Sequence, residues 1–289
     1  MNASTRLRRL LVEHPFIVAP GAFDCITAKA VERAGFHALY MTGMGTSISR
    51  LGLPDYGLAT MTEMVANAAA MASCVETPII ADADTGYGNE LNMTRTVHEY
   101  ERAGVAGIHI EDQVFPKKCG HLDKKQVIAH SDYINKIRAA VDARRDPDFV
   151  IIARTDSNAV HGFSEAIDRA NAALDVGADL ALVEAPESRD ELSAVPSKVH
   201  GPCVLNVLVG GKSPLFPMDA IAAMGYRFVL LSDLLLAATV SACDLALASV
   251  HNGTPLVRET VHTPKEVFRR FGSESWDKLR STQPQGISA

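Results

Sequence analysis

Eight times along this chain a short apolar run rich in valine and isoleucine gives way to a longer stretch of helical period, and that alternation restricts the fold more than any other feature. The runs lie at 16–19, 38–42, 78–81, 107–111, 149–153, 180–184, 203–207 and 228–231. Each is almost continuously apolar, as expected of parallel strands covered on both faces. The helical stretches are 24–34, 62–75, 90–103, 131–143, 164–176, 190–198, 217–224 and 234–250, and several end in a glycine suited to a left-handed cap: Gly35, Gly104, Gly177 and Gly225. Eight strand-then-helix units predict an α/β protein of the TIM-type (β/α)8 barrel class. The alternative, an open doubly wound sheet, lacks the Gly-x-Gly-x-x-Gly that would follow its first strand. A chain of 289 residues, 47% hydrophobic, suits one such barrel. The predicted organisation is a single domain over 1–289, with 255–289 as a helical extension that a complete barrel does not need.

A net charge of −6 argues against a nucleic-acid partner. Five separated cysteines, Cys25, Cys74, Cys119, Cys203 and Cys243, form no C-x-x-C pair, which indicates neither a disulfide framework nor a zinc site and fits a reducing, cytoplasmic setting. The apolar run after Arg6 is stopped by Glu13, His14 and Pro15, so a short covering helix is expected there rather than a targeting segment. No run reads as membrane-spanning, and no membrane partner is expected.

In a barrel of this class the chemistry gathers at the C-terminal ends of the strands. Asp82 and Asp84 close the third run, and residues two apart on a strand point the same way. His109 and Glu111 repeat that spacing on the fourth, with Asp112 next to them. Oxygen donors in such numbers suit Mg²⁺, with Mn²⁺ a possible substitute, although a lone D-x-D pair more often caps a turn. Arg154 ends the fifth run, where a guanidinium can clamp a substrate carboxylate or simply pair with Glu184 or Asp156. Glu184 ends the sixth run and Asn206 sits in the seventh; Tyr40, Thr42, Gly43 and Met44 offer a phenol, a hydroxyl and backbone amides after the second. Long connections are expected after the second strand (43–57) and the fourth (113–127). The latter holds Cys119 between Lys117, Lys118 and His121, where neighbouring cations would favour a thiolate.

Taken together, Asp82-Ala-Asp84-Thr-Gly-Tyr-Gly88, His109-Ile-Glu111-Asp112-Gln113, Lys117-Lys-Cys119-Gly120-His121, Arg154-Thr-Asp156 and Leu51-Gly-Leu-Pro-Asp55 resemble the isocitrate lyase / phosphoenolpyruvate mutase superfamily. The likeness spans about 20–232, and the K-[KR]-C-G-H element is that of its carbon–carbon lyase branch, the 2-methylisocitrate and 2,3-dimethylmalate lyases. The resemblance implies Mg²⁺ on Asp82 and Asp84, directly or through water, supported by Asp55, His109 and Glu111. It implies that Thr42, Gly43 and Met44 hold the 2-oxo acid end, that Arg154 holds carboxylates, and that Gly120, His121 and Asn206 meet the other product's carboxylate. Cys119 would be the proton donor, with Tyr40 and Arg154 beside it in catalysis and Glu184 in substrate binding. A homotetramer with a C-terminal helix exchanged between subunits is implied as well.

The implied reaction is retro-aldol cleavage of a small-molecule 2-hydroxy di- or tricarboxylate into a 2-oxo acid and a carboxylate. Hydrolysis of oxaloacetate to oxalate and acetate is an alternative, and a non-catalytic barrel that binds 2-oxo acids is a third. After the seventh strand, Leu208 is apolar and Val209 stands where relatives of both substrate types carry glutamate. Neither side chain can hold a third carboxylate, which favours alkylated malates over a tricarboxylate.

Overall fold

Why eight short apolar runs pair as they do is clear from the computed structural model, which describes residues 1–253 and 262–282. The strands are β1 (Ile17–Ala22), β2 (Leu39–Met41), β3 (Ile79–Asp82), β4 (Gly107–Glu111), β5 (Val150–Thr155), β6 (Leu180–Val183), β7 (Cys203–Val207) and β8 (Phe228–Leu231). All pair in parallel with their sequence neighbours, and β8 returns to β1 through Ile17↔Phe228 and Pro20↔Leu231, so the sheet closes. The predicted barrel stands, and the open sheet is excluded.

Period-two alternation divides the strand residues between two packed regions. On β3, Ile80 joins Tyr40, Ile152, Leu182, Val204 and Leu230 in one buried cluster, which Leu7 of the N-terminal helix α1 (Ala3–Glu13) also enters. Its neighbours Ile79 and Ala81 pack instead with Met64, Met71, Val97 and Tyr100 from the helices. The short covering helix expected at the N-terminus is therefore a structural part of the barrel.

The remaining helices are α2 (Cys25–Arg33), α3 (Gly43–Leu51), α4 (Met61–Cys74), α5 (Glu90–Ala103), α6 (His130–Ala143), α7 (Asn158–His161), α8 (Phe163–Asp175), α9 (Arg189–Lys198), α10 (Met218–Ala223), α11 (Leu234–His251), α12 (Pro264–Arg270) and α13 (Ser273–Thr282). Capping boxes at Asp24/Thr27 and Thr60/Glu63 fix the starts of α2 and α4. All four glycines expected to end helices have positive φ, between 80° and 103°. The segment after β2 is not the long loop expected: Thr42 caps α3, which begins at the strand's end. The segment after β4 is irregular, closed at its base by an antiparallel bridge between Gln113 and Val127.

Two compact units are distinguished, Met1–Ala238 and Thr239–Ala289. Of the expected extension, 255–261 and 283–289 lie outside the described residues. The expectation of no membrane-spanning run needs correction, because α11 is long and apolar enough by composition to cross one, with a mean hydropathy of 1.7. Asp244 near its middle would oppose insertion.

Candidate active site

Strand register brings the acidic residues together. Asp82 on β3 stands opposite His109 on β4, and Glu111 opposite Arg154 on β5. Tyr40 donates its phenolic proton to Asp82 Oδ2 at 3.0 Å and lies 3.1 Å from His109 Nδ1. The Gly43 N–H also donates to Asp82 Oδ2, at 3.1 Å, and a Cβ at Gly43 would stand 2.5 Å from that oxygen, so only glycine lets the start of α3 approach. Asp84 does not extend the strand as the D-x-D spacing suggested. β3 ends at Asp82, and Asp84 has φ 46°, an uncommon conformation for a residue with a side chain. The two carboxyls meet through a turn, in which the Asp84 N–H donates to Asp82 Oδ1 at 3.0 Å.

Lys117 completes this wall. Its buried ammonium lies 2.6 Å from Asp55 and 2.9 Å from Asp84. Burial alone would raise Asp82, but His109, Lys117 and Arg154 outweigh it and hold the carboxyl at about 2. At Asp84 burial, aided by the charges of Asp82 and Asp55, overcomes Lys117 and lifts the carboxyl to about 7. Glu111 is raised well above the usual range, again by burial first. Neither Glu111 oxygen has a hydrogen-bond partner among the described residues.

In a crowd of buried carboxyls, one of them without a hydrogen bond, hard oxygen donors fit a hard divalent cation. Among the described residues no three Asp, Glu, His or Cys side chains converge as a ready-made cage. Carboxylate oxygens of this kind suit an ion that keeps several of its waters, as Mg²⁺ does. Asp112 does not belong to it: it receives hydrogen bonds from Thr155 Oγ1 (2.6 Å), the Asp156 N–H (2.7 Å) and Arg169 (3.0 Å). One residue further along the chain than Glu111, it faces the other way.

The opposite wall is rich in donors. Arg154 holds Asp156 through Nε at 2.8 Å, the structural pairing foreseen as its alternative role, while Nη2 lies 3.3 Å from Glu111 and 3.5 Å from Glu184. Glu184 Oε1 also accepts from Asn206 Nδ2 at 3.0 Å and lies 3.4 Å from His121 Nε2. His121 Nδ1 accepts the Lys212 N–H at 3.0 Å, so the neutral ring carries its proton on Nε2, facing the pocket. Gly120 packs so closely on Arg154 and Glu184 that a Cβ there would collide with both.

Cys119 differs from its sequence expectation. Lys117 is engaged by carboxylates, and burial raises the thiol, with the charges of Asp55 and Glu184 adding to the rise and a hydrogen bond from the His121 backbone opposing it. At neutral pH that direction favours the thiol over the thiolate. The loop holding it is fastened by Lys125, a residue that reads in the sequence as a solvated loop lysine: its ammonium donates to the Gly120 carbonyl at 2.5 Å and to Asp156 at 2.7 Å.

Tyr40, Thr42, Met44, Asp55, Asp82, Cys119, Gly120, His121, Arg154, Glu184 and Asn206 thus line one nearly filled pocket of about 30 Å³, with Leu208 and Ser232. Gly43, Asp84, His109 and Glu111 touch its lining residues from behind. Val209 is 66% exposed, so the inference drawn from it is corrected: the side chain faces solvent, and Leu208 is the apolar wall. A larger cleft of about 420 Å³ lies elsewhere, but it lacks these groups.

The family model described as phosphoenolpyruvate phosphomutase matches residues 7–251. The chain is 44% identical to 2,3-dimethylmalate lyase of Eubacterium barkeri over 98% of both chains. It is 38% identical to 2-methylisocitrate lyase of Aeropyrum pernix over 94% of this chain and 88% of that one. Among solved structures, an oxaloacetate acetylhydrolase in complex with 3,3-difluorooxalacetate superposes with a TM-score of 0.93 at 38% identity, covering 97% of this chain and 96% of the other. A phosphonopyruvate hydrolase in complex with oxalate and Mg²⁺ superposes with a TM-score of 0.87 at 31% identity, covering 98% and 99%.

Proposed function

The chain belongs to the phosphoenolpyruvate phosphomutase family, among its carbon–carbon lyases, and from that premise we propose that it cleaves an alkylated malate of the 2,3-dimethylmalate type into pyruvate and a short carboxylate such as propionate. One observation supports this above all. A thiol whose pKa burial raises, Cys119, lines the same pocket as Arg154 and His121, which would receive the substrate carboxylates.

Cleavage breaks the bond between the hydroxyl-bearing carbon and the carbon beside the second carboxylate. The hydroxyl oxygen becomes the ketone of the 2-oxo acid, and its proton leaves toward the wall of Asp82 and Asp84. The bonding electrons pass to the other carbon and spread into its carboxylate, which then carries extra negative charge. Arg154, the Nε2–H of His121 and Asn206 face that charge and offset it. Cys119 gives its proton to the carbanion carbon and regains one before the next turnover. A thiol with a raised pKa withholds its proton until a base as strong as the carbanion appears. Tyr40 stays a neutral phenol, kept from ionising first by burial and then by Asp82, and holds Asp82 in place.

Mg²⁺, or Mn²⁺ in its place, would be held by Asp82 and Asp84, with Asp55, His109 and Glu111 in support, and would lower the pKa of the substrate hydroxyl. A relative's structure with oxalate and Mg²⁺ supports that choice. Thr42, Gly43 and Met44 would hold the 2-oxo acid, although Thr42 already caps α3. The apolar Leu208 favours an alkyl substituent over a third carboxylate, with 2-methylisocitrate the next candidate. Assembly as a homotetramer in the cytoplasm is part of the same reading. It is supported by Val240, Leu245 and Leu247 on α11, which are 50%, 71% and 69% exposed in the single chain.

A second reading, oxaloacetate hydrolysis, draws support from the acetylhydrolase likeness and from Ser232, whose hydroxyl bonds Asn206 beside the pocket and could partner a hydrated ketone. The test is a panel of 2-hydroxy di- and tricarboxylates and oxaloacetate with Mg²⁺, analysed for products. Release of pyruvate from 2,3-dimethylmalate supports the lyase, and oxalate with acetate as the sole products overturns it.

A further inference from the structure

The cleft of about 420 Å³ shares no lining residue with the catalytic pocket. It lies among the turn after β3, the start of α5, the face of α6 and the base of the Cys119 loop. Two polar groups on its wall are unmatched. Thr85 is 1% exposed, and its hydroxyl has no partner among the described residues. Lys136 is 5% exposed, and no described residue makes a hydrogen bond or salt bridge to its ammonium; its charge meets Glu111 and Asp112 only through space. The other polar side chains there are engaged: Gln113 binds both backbone groups of Lys118, and Asn89 caps α5.

The Lys136 side chain is largely buried, which lowers its pKa, and its ammonium meets the cleft with no protein partner among the described residues. A carboxylate entering the cleft would meet the Lys136 ammonium, with Thr85 a second donor in the same lining. The neighbouring walls are apolar: Phe115 from the loop and Ile128 ahead of α6. Glu90 and Asp132 stand exposed at the rim, where they would repel a second negative charge. We propose that this cleft is a second ligand site, which binds a small aliphatic monocarboxylate with its head on Lys136 and Thr85 and its alkyl chain on Phe115 and Ile128. Because Phe115 and Gln113 belong to the base of the loop that carries Cys119, an occupant would brace that loop from outside the catalytic pocket.

The test is calorimetric titration of the Mg²⁺-loaded enzyme with acetate, butyrate and hexanoate, with and without saturating oxalate. The wild type should bind one hexanoate per chain with or without oxalate, tightening roughly fourfold per added methylene. Succinate should bind more weakly than butyrate. Lys136→Met should weaken hexanoate at least tenfold, Thr85→Val by about threefold, and Lys136→Arg should retain binding. Lys136→Met should also melt no lower than the wild type, since it removes a largely desolvated cation that no described residue pairs. Absence of binding, displacement by oxalate, or equal affinity in Lys136→Met and wild type would overturn the site.

Discussion

Lys125 and Asp156 meet at 2.7 Å with both side chains wholly shut off from solvent, and Asp156 in turn holds Arg154, so the loop that carries Cys119 is fastened to the strand that carries Arg154. The proposed acid and the proposed clamp are thereby set in one geometry by a pair that does not line the pocket.

Removing one partner of a buried pair leaves the other uncompensated. Lys125→Met should lower stability by about 3–5 kcal/mol in urea unfolding and speed hydrogen exchange across 117–124. Burial would raise Asp156, but Arg154 and Lys125 overcome it and hold the carboxyl below the usual range. A depressed folded pKa gives stability that is present above the unfolded value of about 4 and is lost as pH falls through the folded value. The difference in stability between wild type and Lys125→Met should therefore be constant above about pH 5 and shrink only in stronger acid. A variant as stable as the wild type at pH 7 would contradict the latch.

Alkylation of Cys119 should be slow at neutral pH. A thiol raised above its ordinary 9.0 is less than about one per cent thiolate at pH 7, and the thiolate is the reactive form. Peptide mass spectrometry after iodoacetamide treatment should find Cys119 modified slowly at pH 7, with its labelling still rising beyond pH 9. A labelling rate at Cys119 that levels off below pH 8 would restore the poised thiolate expected from the sequence.

Much of this was legible in the sequence where burial acts on both faces of an element. All eight strands fall within a few residues of their predicted ends, because strands covered by helices must be apolar throughout. α3 was not legible. Gly43 and Gly45 read as a turn, yet they are small because a Cβ would meet Asp82 at 2.5 Å and Phe23 at 2.7 Å. Asp112 was misplaced, although alternation along the chain puts it opposite Glu111. The burial of Lys117 and Lys125 had no local signal, since a buried lysine and a solvated one look alike until their partners elsewhere in the fold are known.

Val209→Glu should leave turnover within about twofold, as expected of a substitution at an exposed site away from special contacts. A large change in kcat/KM with tricarboxylate substrates would show that the 206–214 segment refolds over the pocket.

Chelation should abolish activity, and Mg²⁺ or Mn²⁺ should restore it. Mg²⁺ should also raise the melting temperature of the wild type, since a ligand that binds only the folded state stabilises it. Asp84→Ala should fold yet show neither the thermal shift nor metal-dependent turnover. Full activity of that variant in excess chelator would remove the metal from the account.

The most direct test follows the proton. Cleavage of 2,3-dimethylmalate with Mg²⁺ in D₂O, analysed by NMR, should give pyruvate and propionate with one deuteron on the carbon beside the carboxylate, and Cys119→Ser should lose about 10²-fold or more in rate while still folding and binding Mg²⁺. Unchanged cleavage by Cys119→Ser, or oxalate and acetate from oxaloacetate as the only products of the wild type, would contradict a lyase that protonates its carbanion from Cys119.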